Sequence, residues 1–163
     1  MTDLIKADFG IRQCHARFAD AVWRQDAASF AGCFAEHGEW KIAGMHFAGR
    51  GKIEEAFGQL VGRCTRVHLV TGLPMLAVEG VEVLGRSSMT EFAWMPDGTQ
   101  AISIGMYHDR YVEEAGQWLF RERFWSFKYR GPIDLSAELA PTPDYGVFPE
   151  RPAPDEQTYV RKA

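Results

Sequence analysis

The sequence predicts an α+β fold in which three helices come first and a strongly curved, mostly antiparallel sheet follows. Three observations carry this. Apolar residues recur at helical spacing through roughly the first sixty positions. From Thr65 onward the period changes to two. Two long strand-like runs, Ala101 to Val112 and Gln117 to Tyr129, then close the patterned part of the chain, joined by the short polar loop Glu113-Glu114-Ala115-Gly116, whose final glycine suits a residue of positive φ.

Ile11, Cys14, His15, Phe18, Val22 and Trp23 share one helical face, so a first helix is expected from about Asp3 to Trp23. Asp26 stands before Ala27-Ala28-Ser29-Phe30, where an aspartate caps a second, short helix ending near Phe34. Glu36-His37-Gly38 reads as a turn into a small hairpin, Trp40-Lys41-Ile42 against Met45-His46-Phe47. After Gly49-Arg50-Gly51, Ile53, Ala56, Phe57, Leu60 and Val61 give a third helix with one apolar face.

Val67 to Val70 leads into an extended run from Leu73 to Val78, and Val81 to Met95 makes the next strand. Pro96-Asp97-Gly98-Thr99 is a turn before the closing hairpin. In the last strand, strict alternation puts Arg121, Arg123, Trp125 and Phe127 on one face, and Trp118, Phe120, Glu122 and Phe124 on the other. Guanidinium groups among aromatic rings are costly to bury unless they meet polar or anionic partners. Such a face reads either as a partly polar pocket or as a surface where the arginines pair with Glu91 and Glu122.

Beyond Arg130 the composition shifts to scattered prolines between Ile133, Leu135, Leu139, Tyr145, Val147 and Phe148. One domain is therefore expected over residues 1–130. Residues 131–163 form a proline-rich tail that packs on its own domain or on a neighbouring subunit.

Composition narrows the function. With 163 residues, 46% hydrophobic and 25% charged, the chain suits one globular domain with a sizeable core. A net charge of −4 supplies no basic footprint, so no nucleic-acid partner is expected. Neither a signal-like start nor a membrane-spanning apolar run is present, so no membrane partner is expected. Cys14, Cys33 and Cys64, odd in number and scattered, read as thiols of a reducing compartment, with a cytoplasmic location the expectation. His46, His68 and His108 lack the spacing of a metal site, and no glycine-rich phosphate loop occurs, so neither metal nor cofactor is expected.

Phe18-Ala19-Asp20 through Asp26, Cys33-Phe34, Gly38-Glu39-Trp40, Gly49-Arg50-Gly51, Tyr107-His108-Asp109-Arg110-Tyr111 and Gly116-Gln117-Trp118 follow one another in an order that resembles the SnoaL-like branch of the NTF2-like superfamily, over roughly Leu4 to Tyr129. The resemblance implies an NTF2-like cone: a bent sheet wrapping three helices, with a pocket at its wide end. Its members include dehydratases, dehydrohalogenases, ketosteroid isomerases, polyketide cyclases and proteins without known activity, so the fold leaves function open.

Members that eliminate water or hydrogen halide pair an aspartate after the first helix with a histidine on the third strand. By resemblance these fall on Asp26 and His68, and an arginine that helps bind the leaving group falls on Arg123. Five residues before the aspartate, where those enzymes carry a lysine or tyrosine, this chain has Ala21. A neutral imidazole can take a proton from carbon, and a carboxylate on its other nitrogen would fix its tautomer. Trp23, Trp40, Phe57, Tyr107 and Trp125 are expected as pocket walls that exclude water. The expected function is a cofactor-free lyase, of dehydratase or dehydrohalogenase type, acting on a small apolar cyclic molecule; the same set could run an isomerase. The alternative is a non-catalytic ligand-binding or accessory protein, similar to a dioxygenase β subunit. A homo-oligomer, dimer or trimer, is expected in either case.

Overall fold

In a computed structural model, which describes residues 3–139 and 147–151, the helices precede the sheet as expected. Helix α1 (Leu4–Trp23) begins at Asp3, whose carboxylate accepts from the Ile5 and Lys6 amides and satisfies two of the orphan donors of the first turn. It buries Ala7, Ile11, Cys14, His15, Phe18, Ala21 and Val22, one stripe at helical spacing. Gln25 then takes a left-handed φ of 53°, and α2 (Ala27–Ala31) starts two residues later, after its cap Asp26. The Gln25 side chain donates to the Val61 and Cys64 carbonyls at 2.9 Å each, tying this corner to the end of α3 (Arg50–Val61).

Seven strands form one curved, unclosed sheet in the order β2-β1-β7-β6-β5-β3, with β4 also paired to β5. They are β1 (Phe34–Ile42), β2 (Met45–Ala48), β3 (Arg66–Thr71), β4 (Met75–Glu79), β5 (Glu82–Trp94), β6 (Gln100–Glu114) and β7 (Gln117–Gly131). All pairings are antiparallel except β1 with β7. That parallel pairing is why β1 starts at Phe34, where the sequence suggested a turn at Glu36-His37-Gly38: β7 supplies a ladder that local pattern does not reveal.

The faces of β7 also differ from strict alternation. Against β6, Tyr111 pairs with Phe120 and Arg110 with Glu122, so Arg121 is an extra residue; Gly105 pairs with Phe127 and Ile104 with Tyr129, so Lys128 is a second. Each bulge flips the alternation downstream of it. Trp118 and Phe120 therefore join Arg123, Trp125 and Phe127 on the inner face, with Arg130 after them, while Glu122 points outward.

The core lies between the three helices and the concave face, built around Ile11, Phe18, Phe30, Phe34, Phe57 and Phe120. On the opposite face, the segment 147–151 lies against the sheet. Arg86 donates to the Glu150 carbonyl at 2.8 Å, its guanidinium faces the Phe148 ring at 5.7 Å, and Arg151 pairs with Glu122. The rest of the tail lies outside the described residues. Among the described residues, no helix is long and apolar enough to cross a membrane.

Candidate functional site

A cavity of about 240 Å³ opens between the helices and the sheet. Its register can be followed strand by strand. Tyr107 and Trp125 form one row, Met89, Gly105 and Phe127 the next, Leu69, Glu91, Ser103 and Arg130 a third, and Val67, Ala93 and Ala101 a fourth. Phe18, Phe30, Trp40 and Phe57 close the inner end, and Arg63, Cys64 and Met95 stand near the fourth row. The wall is mostly apolar; its polar groups are the third-row belt of Glu91, Ser103 and Arg130, Arg63 near the fourth row, and the Tyr107 hydroxyl with the Trp40 indole nitrogen.

Among the described residues, Glu91 is the one carboxyl on this wall. Burial raises its pKa, because the apolar surroundings disfavour the charge, and Arg130 across the belt opposes the shift. A carboxyl whose pKa is raised by burial, on the wall of a cavity, is the kind of group that exchanges protons with a bound molecule.

Trp40, Phe57, Tyr107 and Trp125, four of the five expected wall residues, line the cavity. Trp23 does not. It sits at the last turn of α1, 57% exposed, with its indole edge-on to the His68 ring at 5.1 Å between centroids. His68 does not line the cavity either, since Val67 and Leu69 on each side of it do and strand alternation turns it to the other face, beside Phe92.

The expected pairing of Asp26 with His68 is not formed. One Asp26 oxygen accepts from the Ser29 amide at 2.9 Å; the other accepts from the Ser29 hydroxyl at 2.8 Å and from Arg24 at 2.7 Å. The Ser29 amide and hydroxyl and the Arg24 guanidinium hold its pKa down to about 2, so it is a fixed anion capping α2. The physical reason is local. A carboxylate one residue before a helix has amide donors within reach and no need to find a distant imidazole.

Arg123 is placed differently too. It is 1% exposed and lies beneath the cavity wall, not on it. Its Nε and a terminal nitrogen donate to the two oxygens of Asp109 at 3.0 and 3.1 Å, so its partner is neither Glu91 nor Glu122. Its guanidinium carbon lies 3.8 Å from the Tyr107 ring centre, 4.1 Å from Phe120 and 4.3 Å from Phe18. Asp109 also accepts from the Tyr111 hydroxyl at 2.9 Å, and that hydroxyl meets His15 Nε2 at 2.7 Å. Complete burial pushes the Asp109 pKa up while Arg123 and Tyr111 pull it down, and the bidentate geometry is that of an ion pair. Burial, with Arg123 nearby, lowers the His15 pKa to about 2, which leaves the imidazole neutral and able to donate from Nε2 to Tyr111. Arg121, expected on the same face as Arg123, instead reaches the His37 carbonyl on the other side.

Glu91, Ser103 and Arg130 went unread in the sequence as a set. Their signal was available: alternation from Tyr107 back to Ser103, paired antiparallel with Glu91, puts both in the cavity. Arg130 could not be found that way, because the bulge at Lys128 decides its face.

The family model for a SnoaL-like domain matches residues 5–124. Among solved structures, Rv3472 of Mycobacterium tuberculosis, a protein of unknown function, is 26% identical, with 81% of this chain and 77% of that one covered and a TM-score of 0.68. The hexachlorocyclohexane dehydrochlorinase LinA-type3 from Novosphingobium barchaimii LL02 is 15% identical over 82% of this chain and 93% of that one, with a TM-score of 0.69. A Novosphingobium aromaticivorans DSM 12444 protein proposed as a scytalone dehydratase is 18% identical over 79% and 93%, with a TM-score of 0.70. No curated protein matches the sequence.

Proposed function

Since the chain belongs to the SnoaL-like domain family, and its cavity holds one carboxyl among aromatic and aliphatic walls, we propose that it binds a small, largely apolar cyclic molecule and moves a proton on it without a cofactor, with Glu91 as the base. The observation that carries this reading is Glu91 itself, a carboxyl lifted above its ordinary pKa by burial at the wall of the cavity. Similarity in fold to a dehydrochlorinase and to a protein proposed as a dehydratase supports elimination as the reaction class.

In that reaction the ionised Glu91 takes a proton from a carbon of the bound molecule. The C–H electron pair becomes the new double bond, and the leaving group departs with its own bonding pair. Where no leaving group is present, the same abstraction gives an enolate-like anion that is reprotonated at a second carbon. Arg130, in the same row, stabilises negative charge as it develops, and the apolar walls keep water from competing.

The test is deuterium incorporation or elimination in D2O, read by mass spectrometry, over a panel of cyclic ketones, alcohols and halides. Glu91→Gln should lower the rate at least about a hundredfold, the usual contribution of a positioned base. Retention of the rate in Glu91→Gln together with its loss in His68→Ala would return the base to the strand histidine.

One observation favours a second reading, a binding protein without chemistry: the aspartate–histidine pair of the eliminating members is not assembled, Asp26 being a cap and His68 lying beside an indole. Tight binding of panel members with neither exchange nor elimination would select it.

A further inference from the structure

Two polar groups sit among the aromatic rings of the cavity, the Tyr107 hydroxyl and the Trp40 indole nitrogen. The Tyr107 oxygen accepts from Trp40 Nε1 at 3.4 Å, and both residues line the cavity. Among the described residues the hydroxyl's own proton meets no acceptor. A buried O–H without an acceptor costs free energy that a matching ligand atom recovers.

The hydroxyl is also held in place. The ring lies 3.8 Å from the Arg123 guanidinium carbon on one side, and its centre is 4.8 Å from that of Trp125 and 6.3 Å from that of Phe18. Those neighbours pack around the ring, so the hydroxyl oxygen has a fixed place before any ligand arrives. Burial raises the Tyr107 pKa to about 12, against the pull of Arg123, so the group remains a donor throughout the neutral range.

Resting on the proposal that the cavity takes a small apolar cyclic molecule, we infer that Tyr107 selects ligands carrying an oxygen acceptor, a ketone or related carbonyl, at the end that enters first. Tyr107 stands four residues from Ser103 on the same strand face, two side-chain rows or about 14 Å along the strand. A ligand that extends from the hydroxyl toward the Glu91 belt therefore passes more than one row of wall residues. The volume agrees: an apolar cavity of about 150 Å³ holds benzene, and this one is larger.

The probes are 1-tetralone and tetralin, bicyclic molecules of the same shape with and without the carbonyl. Binding is read by quenching of the cavity tryptophans, Trp40 and Trp125, and by calorimetry. Wild-type protein should prefer the ketone by about three- to tenfold, the worth of one neutral hydrogen bond. Tyr107→Phe should abolish that preference while keeping the tetralin affinity, which also reports that the variant is folded. Independently of any variant, the carbonyl stretch of 1-tetralone should move to lower wavenumber on binding to the wild type. Equal affinity for the two probes, a preference that persists in Tyr107→Phe, or an unshifted carbonyl band would overturn the role of Tyr107 and leave the ligand-binding reading standing. Failure of both probes to bind the wild type would overturn the two together.

Discussion

Arg123 is the side chain whose burial demands most of its neighbours. Fully enclosed, its charge is offset by the two oxygens of Asp109 and by three aromatic faces. Removing one member leaves the other charge stranded in the core. Arg123→Met is thus expected to destabilise the fold by about 3–5 kcal/mol in urea unfolding, with the double variant Arg123→Met/Asp109→Leu recovering much of the loss because it buries no charge. Equal destabilisation by the single and double variants would show that packing, not the ion pair, sets the cost. This network was not legible in the sequence. Arg123 and Asp109 are 14 residues apart on neighbouring strands, and Glu91 and Glu122 were equally plausible partners until the register was known. Asp26 was legible as a helix cap, and that local reading describes its contacts. The catalytic pairing taken from resemblance needed His68 to face it across the cavity, which one position of strand alternation prevents.

At the scale of the elements, order was legible almost directly, because period and turn chemistry are local properties of the chain, whereas β1 begins six residues before the expected Trp40, at Phe34, on the ladder that β7 supplies. The bulges at Arg121 and Lys128 were not legible, since an extra residue in one strand is defined only by its partner. Their consequence is functional: they bring Trp118, Phe120, Arg123, Trp125, Phe127 and Arg130 to one side. Gly105 is part of the same device. A Cβ there would lie 2.2 Å from the Ser126 carbonyl oxygen and 2.5–2.6 Å from the Trp125 ring. Gly105→Ala should cost about 1–3 kcal/mol, or more because backbone is among the clashing atoms, and should shift tryptophan emission as Trp125 is displaced. Wild-type stability and emission would mean that the indole does not rest on this glycine. The β6–β7 turn gives a prediction of opposite sign. Ala115 and Gly116 both have positive φ, 48° and 76°, as a two-residue turn of primed type requires. Alanine tolerates that region poorly and asparagine better, so Ala115→Asn should raise stability by about 0.5–1 kcal/mol, seen as a higher Tm.

Across the whole molecule, the sheet separates two buried histidines that pH can exploit. His15 lies on the helix side with Tyr111, Asp109 and Arg123; His108 lies on the other side, between Arg86 and Arg151. Burial, with those arginines, lowers their pKa values to about 2 and about 3. In the unfolded chain each titrates near 6.5, so between that value and the folded pKa the unfolded state binds more protons. Stability from these groups is complete above pH 6.5 and is lost as pH falls. The slope is about 1.4 kcal/mol per pH unit for each histidine, or about 2 kcal/mol each by pH 5. Carboxylates with lowered pKa, such as Glu39 and Glu122, add their own loss only below about pH 4.5, their unfolded value. Glu91 acts in the reverse direction, since its raised pKa lets the folded state bind a proton first and offsets part of the loss just above 4.5. Urea midpoints at pH 7, 6 and 5 should therefore fall steadily before the carboxylate range is reached, and His108→Gln should roughly halve the slope whatever its effect at pH 7. A flat profile from pH 7 to 5 would require that both rings are protonated in the folded protein, which the packing of Phe124 on His108 and of Phe120 on His15 opposes by denying the charged ring its water.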